Sequence, residues 1–414
     1  MSLKIAIADV WCQRITYVQQ FKNASVTIPF KDSLTAKFEV SVYDDVLQHI
    51  RPLERLVFIT YFDELIFTGY VVLPRWQAAA GTVEVNCHDA SLKLKHHYHH
   101  YGDAAVDVGY PIDGWGMKIL IQSSVPSVDE LDRGVVPNGI IWGTNTTPNQ
   151  GPKPPKIGDD TEGNTQYGLW SKAENGAMVW DTIQNLGATT IGPDWDLEPV
   201  DVDHPGPRTE IPPGYFACIN TYPAFGMGKN RTGVDAGTPQ ALMPKMRWDF
   251  GHGRDNLQDF VWEPDGSALR NWWVEVNPGG QKSATDTANS AVVHSESSWR
   301  RYGQYGGWES AKQKVSKRVL RDRARSFIDA YGTVPNFCTI TPKRDAPNVP
   351  RFKRDYYVGD LFTASAHRGQ LREEFDLRLT SATLSQVNQN LDAKVELTCV
   401  PNVTVSSSAD SSAP

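Results

Sequence analysis

Residues 56–76 read LVFITYFDELIFTGYVVLPRW. Two apolar runs flank the acids Asp63-Glu64, and runs of this length around a polar pair mark the two strands of a β-hairpin. Gly69 interrupts the second run and is read as a bulge. Upstream, residues 36–44 read AKFEVSVYD, with Ala36, Phe38, Val40 and Val42 on one face and Lys37, Glu39, Ser41 and Tyr43 on the other. Strict alternation is the pattern of a half-buried strand. Downstream, TVEVNCHDASLKLKHH gives a short strand at Thr82–Cys87. A segment that can be helical follows it, with Asp89 or Ser91 as its N-cap. The start of the chain is therefore predicted to be β.

The same patterns return further on. The segments YFACINTY (215–222), KMRWDFG (245–251), LQDFVWE (257–263) and RNWWVEV (270–276) read as strands, with the turn Pro264-Asp265-Gly266 between the last two. DWDLEPVDVD (194–203) is extended. NFCTITP (336–342), YVGDLFTASA (357–366), EEFDLRLTSATLSQV (373–387) and AKVELTCV (393–400) are strands again. Two helices are predicted. AENGAMVWDTIQNLGATTIG (173–192) can align Met178, Ile183 and Leu186, with Gly187 as its stop. AKQKVSKRVLRDRARSFIDAY (311–331) carries Val315, Val319, Ala324, Phe327, Ile328 and Tyr331 in one stripe. Residues 143–168 are rich in Pro, Gly, Asn and Thr and read as a long loop. The small, polar end, 402–414, reads as disordered.

The chain of 414 residues is long enough for more than one core, and its 13 Trp, 15 Tyr and 15 Phe suit β-rich cores and broad interfaces. A net charge of -7 argues against a general nucleic-acid binder, which carries a basic surplus. With no early apolar run and no membrane-length apolar stretch, the sequence is expected to be soluble and made in a cytoplasm. The five cysteines are far apart and form no CxxC pair, so neither a disulfide framework nor a zinc knuckle is indicated.

Several clusters could carry chemistry. KHHYHH holds His96, His97, His99 and His100. His96 and His100 have the i, i+4 spacing of a helical metal pair, but no local carboxylate completes a set. A structural or interface role, an adventitious metal and a pH-sensitive contact stay open. Asp194, Asp196 and Glu198 share one face of an extended strand, either as a solvated face or as calcium or glycosidase carboxylates. FGMGKNRTG, with Gly226, Gly228 and Lys229, lacks the spacing of a phosphate loop and reads as a hairpin loop. Lys312, Lys314, Lys317, Arg318, Arg321, Arg323 and Arg325 make the long helix basic, as a solvated face or a partner surface. Trp272 and Trp273 must point to opposite faces of a strand, one inward and one outward, the latter a candidate sugar-stacking or interface residue. HExxH and GxSxG motifs are absent. No catalytic, cofactor-binding or metal-ligating residue is assigned, and no cofactor is expected.

The order of these pieces resembles the tail-hub family of bacteriophage minor tail proteins, which are related in architecture to the baseplate hubs of contractile tails. The resemblance rests on the opening strands with Phe67-Thr68-Gly69-Tyr70-Val71. It rests also on NGAMVWDTIQNLGATTIGPDWDLEPVD, and on the pair NLQDF (256–260) and Gly266…Asn271 with the turn Arg301-Tyr302-Gly303. The last element is the turn Tyr356-Tyr357-Val358-Gly359-Asp360 into the closing strands. The family implies a mainly β fold with α+β insertions: two tail-tube-like β-barrel domains, 1–103 and 333–401, flanking a mixed middle. That middle would comprise a loop-rich and helical insertion (104–190), a β-rich domain (191–310) and a connecting helix (311–332). It implies a non-enzymatic homotrimer at the tail tip that contacts the distal tail protein, the tape measure protein and other minor tail proteins. DNA would pass its lumen without specific binding, and KHHYHH would lie at a lumen, linker or subunit boundary. The rival reading is a cell-wall polysaccharide-binding protein or hydrolase using Asp194, Asp196 and Glu198.

Overall fold

The structure is a computed structural model and describes residues 2–96, 139–142, 178, 180–181, 183–184, 194–201, 214–222, 226–234, 240–280, 289–311, 317–332, 336–344 and 349–401. The N-terminal strands are β1 (Leu3–Asp9), β2 (Arg14–Val18), β3 (Lys22–Pro29), β4 (Thr35–Ser41), β5 (Arg55–Tyr61), β6 (Glu64–Gln77) and β7 (Thr82–His88), followed by helix α1 (Ser91–Lys95). The middle holds β8 (Ile140–Trp142), β9 (Asp194–Pro199), β10 (Ala217–Tyr222), β11 (Arg247–Phe250), β12 (Leu257–Pro264), β13 (Trp272–Val276), β14 (Ser290–His294), α2 (Glu296–Tyr302) and β15 (Gly306–Ser310). Helix α3 (Lys317–Tyr331) leads to β16 (Asn336–Pro342), β17 (Leu361–Arg368), β18 (Leu371–Asn388) and β19 (Lys394–Pro401).

The expected hairpin of residues 56–76 forms, with its turn one residue earlier than the Asp63-Glu64 pair, since Glu64 pairs with Tyr61. β5 and β6 pair antiparallel across Phe62-Asp63, both at positive φ (53° and 63°), the conformation of a two-residue turn matched to strand twist. Gly69 plays a different part from the bulge expected of it. It pairs in register with Val57, and the register shifts lie elsewhere, at Ile59/Thr60 and Val71/Leu73. A Cβ at Gly69 would sit 2.3 Å from the His88 carbonyl oxygen, so the residue is small because another backbone passes against it. Asp89 caps α1 from just outside, its Oδ1 accepting from the Ser91 amide at 3.1 Å while Oδ2 accepts from Leu34 N at 2.7 Å.

The mainly β expectation holds, and the two ends of the chain meet in one sheet of 13 strands in the order β12-β16-β19-β18-β3-β4-β7-β6-β5-β1-β2, with β17 on β18 and β11 on β17. The seam is the antiparallel pair β3–β18, from Pro29↔Ser381 to Lys22↔Asn388. The expected barrels are not closed among the described residues: the strand path is open, with β2 and β12 at its ends. At the seam lies β18, which is 18 residues long. Its first half pairs with β17, while its second half pairs with β19 on one edge and β3 on the other. One apolar cluster runs across the seam and includes Ile5, Val26, Phe38, Phe67 and Val85 from the early strands and Ile340, Leu379, Leu384 and Leu397 from the late ones.

Two smaller sheets are present among the described residues. β8-β10-β9 packs on the early strands: Tyr70 and Phe216 meet edge to face at 5.2 Å, and the Thr68 hydroxyl donates to the Phe216 carbonyl at 2.5 Å. Of the first predicted helix, residues 180, 181, 183 and 184 are helical. Trp180 and Ile183 are buried, and Leu186 and Gly187 lie outside the described residues. β14-β13-β15 packs on α3, whose Ala324 and Ile328 are buried with Trp273. The stripe is thus seen in part, Val315 and the Val319 side chain lying outside the described residues. No helix among the described residues is long and apolar enough to cross a membrane.

Candidate functional site: an acid-centred junction

Alternation along β9 divides its side chains as the sequence predicts. Trp195 and Leu197 enter the core, and Asp194, Asp196 and Glu198 share the opposite face. That face is not simply solvated. Asp194 is 1% exposed. Its Oδ1 lies 2.7 Å from the Lys31 ammonium, and its Oδ2 accepts from Arg378 Nη2 at 2.7 Å and from Met227 N at 3.1 Å. Lys31 follows β3 and Arg378 belongs to β18, so the two cations come from the two sides of the seam. The Phe30 ring lies beneath both, 4.5 Å from the Arg378 guanidinium and 5.3 Å from the Lys31 ammonium. One carboxylate from the middle of the chain therefore ties the early strands, the late strands and the 226–234 loop together. A buried acid with two cations and an amide donor has its desolvation offset; stripped of them it would not.

A second buried acid repeats the device. Asp360 is fully buried, accepts from Lys229 N at 2.7 Å and Arg231 Nε at 2.8 Å, and receives the Tyr357 amide at 3.3 Å. Burial pushes its carboxyl above the usual range, against the pull of Arg231 and the amides. Gly228, at φ +86°, lies flat on this turn: a Cβ there would come within 2.3 Å of the Gly359 carbonyl carbon. The FGMGKNRTG loop is thus a latch on the closing strands rather than a free hairpin tip, with Gln240 Nε2 bridging the carbonyls of Met227 (2.6 Å) and Gly359 (3.1 Å). At the far end of the β9 segment, buried Asp201 pairs with Arg14 of β2, whose guanidinium sits 3.9 Å over Phe58.

Asp196 and Glu198 form a different arrangement. Both accept from one atom, Asn220 Nδ2, at 3.0 and 3.2 Å. Burial first, and the Glu198 charge second, push Asp196 up to about 7, opposed by Lys353 and by the Asn220 hydrogen bond. Asp196 thus keeps its proton to a higher pH than an ordinary carboxyl does. Asp249 shows the opposite balance: burial raises it, but hydrogen bonds from Ser365 (2.6 Å), Arg247 (2.7 Å) and the Arg254 amide (3.0 Å) prevail and hold it below the usual range. Beside it His252 and His367 stack at 3.6 Å.

The remaining candidates separate. His96 closes α1 and is exposed, while His97, His99 and His100 lie outside the described residues. Lys229 gives its backbone, not its ammonium, to Asp360. Of the basic helix, Arg318, Arg321 and Arg325 are exposed and Lys317 and Arg323 half-buried, with Lys312 and Lys314 outside the described residues. Trp273 is the inward member of its pair, stacked on Phe327 at 3.5 Å. Trp272 is the outer one, half-buried and stacked on His294 at 4.8 Å. Among the described residues no three His, Cys, Asp or Glu side chains are grouped to hold a metal. Sequence reasoning missed Lys31, Arg231, Arg378 and Asp360 as site residues. Only Asp360 left a local signal, as the last residue of the Tyr356…Gly359-Asp360 turn. Asn256 and Asn271, also in the quoted motifs, are buried pins. Asn256 Oδ1 accepts from Asp249 N at 2.8 Å, and Asn271 bonds the Gly303 carbonyl (2.8 Å) and Tyr305 amide (2.8 Å).

Neither a protein-family model nor a curated protein matches the sequence. Solved structures do match the fold. The chain is similar to the 43 kDa tail protein of prophage MuSo2 from Shewanella oneidensis, with 11% identity, a TM-score of 0.52, and 97% of this chain and 99% of that one covered. It is similar also to the tail protein from Neisseria meningitidis MC58, with 10% identity, a TM-score of 0.53 and 97% of each chain covered. The fold of this chain is therefore one found in phage tail proteins.

Proposed function

We propose that the chain is a structural, non-enzymatic hub of a phage tail tip, assembled in the host cytoplasm. Three copies cap the tail tube, join the distal tail protein to the tape measure protein and other minor tail proteins, and leave DNA a path outward. The observation that carries this is the match of fold to two tail proteins over nearly the whole length of both partners. The β3–β18 seam supports it further. In a hub an early unit (1–103) and a late unit (333–401) would lie side by side so that three chains imitate six, and the pairing of β3 with β18 across the Asp194 clamp is in keeping with that arrangement. The net charge of -7 suits a lumen that must not grip phosphate. Light scattering across a concentration series tests the assembly. A particle of three times the 46.1 kDa chain mass is expected, and a monomer at every concentration would overturn the reading.

The hydrolase reading keeps one observation in its favour: Asp196, raised by burial, stands beside Glu198 on one strand face, both accepting from Asn220 Nδ2. Asp194 no longer belongs to it, being committed to Lys31 and Arg378. Release of soluble sugar from purified cell wall by the wild type, lost in Asp196→Asn, would favour it over the hub.

A further inference from the structure

The five cysteines look unrelated in sequence, yet the sheet brings two of them face to face. Cys338 of β16 and Cys399 of β19 are direct cross-strand partners, flanked in register by Ile340↔Leu397. The row continues outward on both sides, with Trp262 opposite Cys338 and Leu379 opposite Cys399. Both cysteines are free, and both are fully buried. Directly opposed residues of an antiparallel pair hold their Cα atoms about 4.5–5.5 Å apart, inside the roughly 4.4–6.8 Å that a disulfide spans. The other thiols have no such neighbour. Cys87 faces Ala36 and Val71, Cys218 faces Glu198 and Ile141, and Cys12 lies in the turn after β1.

We propose that Cys338 and Cys399 are a disulfide-forming pair, able to staple β16 to β19 within the native fold when the protein meets an oxidant of the disulfide or azo class. The step balances simply. One sulfur, as thiolate, attacks the oxidant and forms a transient bond to it. The second thiolate then attacks that sulfur, the S–S bond forms, and the oxidant leaves carrying two electrons and the two thiol protons. A disulfide oxidant departs as two thiols and an azo oxidant as a hydrazine. Burial raises both thiols, Cys338 to about 11, and the nearness of Cys338 is a further cause at Cys399. The pair is therefore slow to react while the sheet is closed. β16 is one strand in from the open edge β12, so local fraying of that edge gives access without global unfolding. The closed loop would contain β17 and β18, so the bond constrains a long stretch of the unfolded chain. This inference does not depend on the tail-hub reading.

The test treats the full chain with the azo oxidant diamide, blocks remaining thiols with N-ethylmaleimide, and maps non-reduced peptides by mass spectrometry. One linkage, Cys338–Cys399, is expected, with Cys12, Cys87 and Cys218 recovered as blocked thiols. The linked protein should unfold at higher urea than the reduced one, and dithiothreitol should reverse the shift. Cys338→Ser and Cys399→Ser should each abolish the linkage and leave the partner a thiol. Should the folded protein resist diamide, the reaction is repeated during refolding from urea. The same single linkage in a product with native circular dichroism supports the pair and overturns only access by fraying of the β12 edge. Scrambled linkages, no linkage under either regime, or a linked product that has lost the native spectrum overturns it.

Discussion

Replacing Asp196 with Asn should stabilise the protein, and only above acidic pH. In the folded chain the carboxyl is pushed from 3.8 to about 7, by burial and then by Glu198. A group whose folded pKa is raised keeps its proton where the unfolded chain has lost it. Stability therefore falls as pH rises through the window from 4 to 7 and is flat above it. At roughly 1.4 kcal/mol per pH unit the whole shift sets a ceiling of about 4 kcal/mol. Asp196 retains some solvent contact, so we take about half, ~2 kcal/mol, as the expected penalty. Asn removes the charge but keeps an oxygen to accept from Asn220 Nδ2, which now lies 3.0 Å from the carboxylate. Urea unfolding of both proteins at half-unit steps from pH 5 to 8 gives a difference in which other titrating groups cancel. The variant should gain on the wild type up to about pH 7 and lead by about 2 kcal/mol at pH 8. Glu198→Gln should flatten the wild-type slope by removing the second cause. A difference that does not change with pH, or a wild type more stable at pH 8, would refute the argument.

Three further outcomes follow from the same contacts. Asp194→Ala removes the carboxylate that Lys31 and Arg378 share in a buried site and should cost about 3–5 kcal/mol in urea unfolding. Gly228→Ala forces a side chain against the Gly359 backbone at a positive φ and should cost on the order of 2 kcal/mol. It should also expose the 226–234 loop to limited proteolysis before the rest of the chain. Trp273→Ala empties the contact with Phe327, Ala324 and Ile328 and should cost about 3–5 kcal/mol. It should speed amide exchange in α3 ahead of the large sheet.

Most strands could be read from the sequence because their information is local. The period of two in AKFEVSVYD or EEFDLRLTSATLSQV is the pleat itself, and the hairpin follows from the acids between two apolar runs, although the turn falls at Phe62-Asp63, one residue before the acidic pair. The short elements of the β13–β15 unit were less legible. Arg301-Tyr302-Gly303 reads as a turn, yet Arg301 and Tyr302 are the last residues of α2, whose Ser298 and Gly303 carbonyl are held by Asn271, just before β13. The junction was the least legible. The face carrying Asp194, Asp196 and Glu198 was correctly drawn, but which of its acids is clamped depends on Lys31 and Arg378. These residues lie far from β9 in the chain and reach Asp194 only because β3 and β18 pair.

That dependence carries a consequence for how the fold is held. Three acids of the middle region or closing turn (Asp194, Asp201 and Asp360) are each buried, and each meets a cation from a different segment: Lys31 and Arg378, Arg14, and Arg231. Buried ion pairs add little net stability compared with apolar packing, since desolvation consumes most of the attraction. Their value is discrimination: a strand that docks one register out leaves a bare charge in the core, at several kcal/mol. The apolar cluster that crosses the seam would tolerate a slip, because one Val or Leu can replace another. A lone Asp194 would not. The acids therefore fix where the middle of the chain sits on a sheet that its two ends build together, and apolar burial supplies most of the stability.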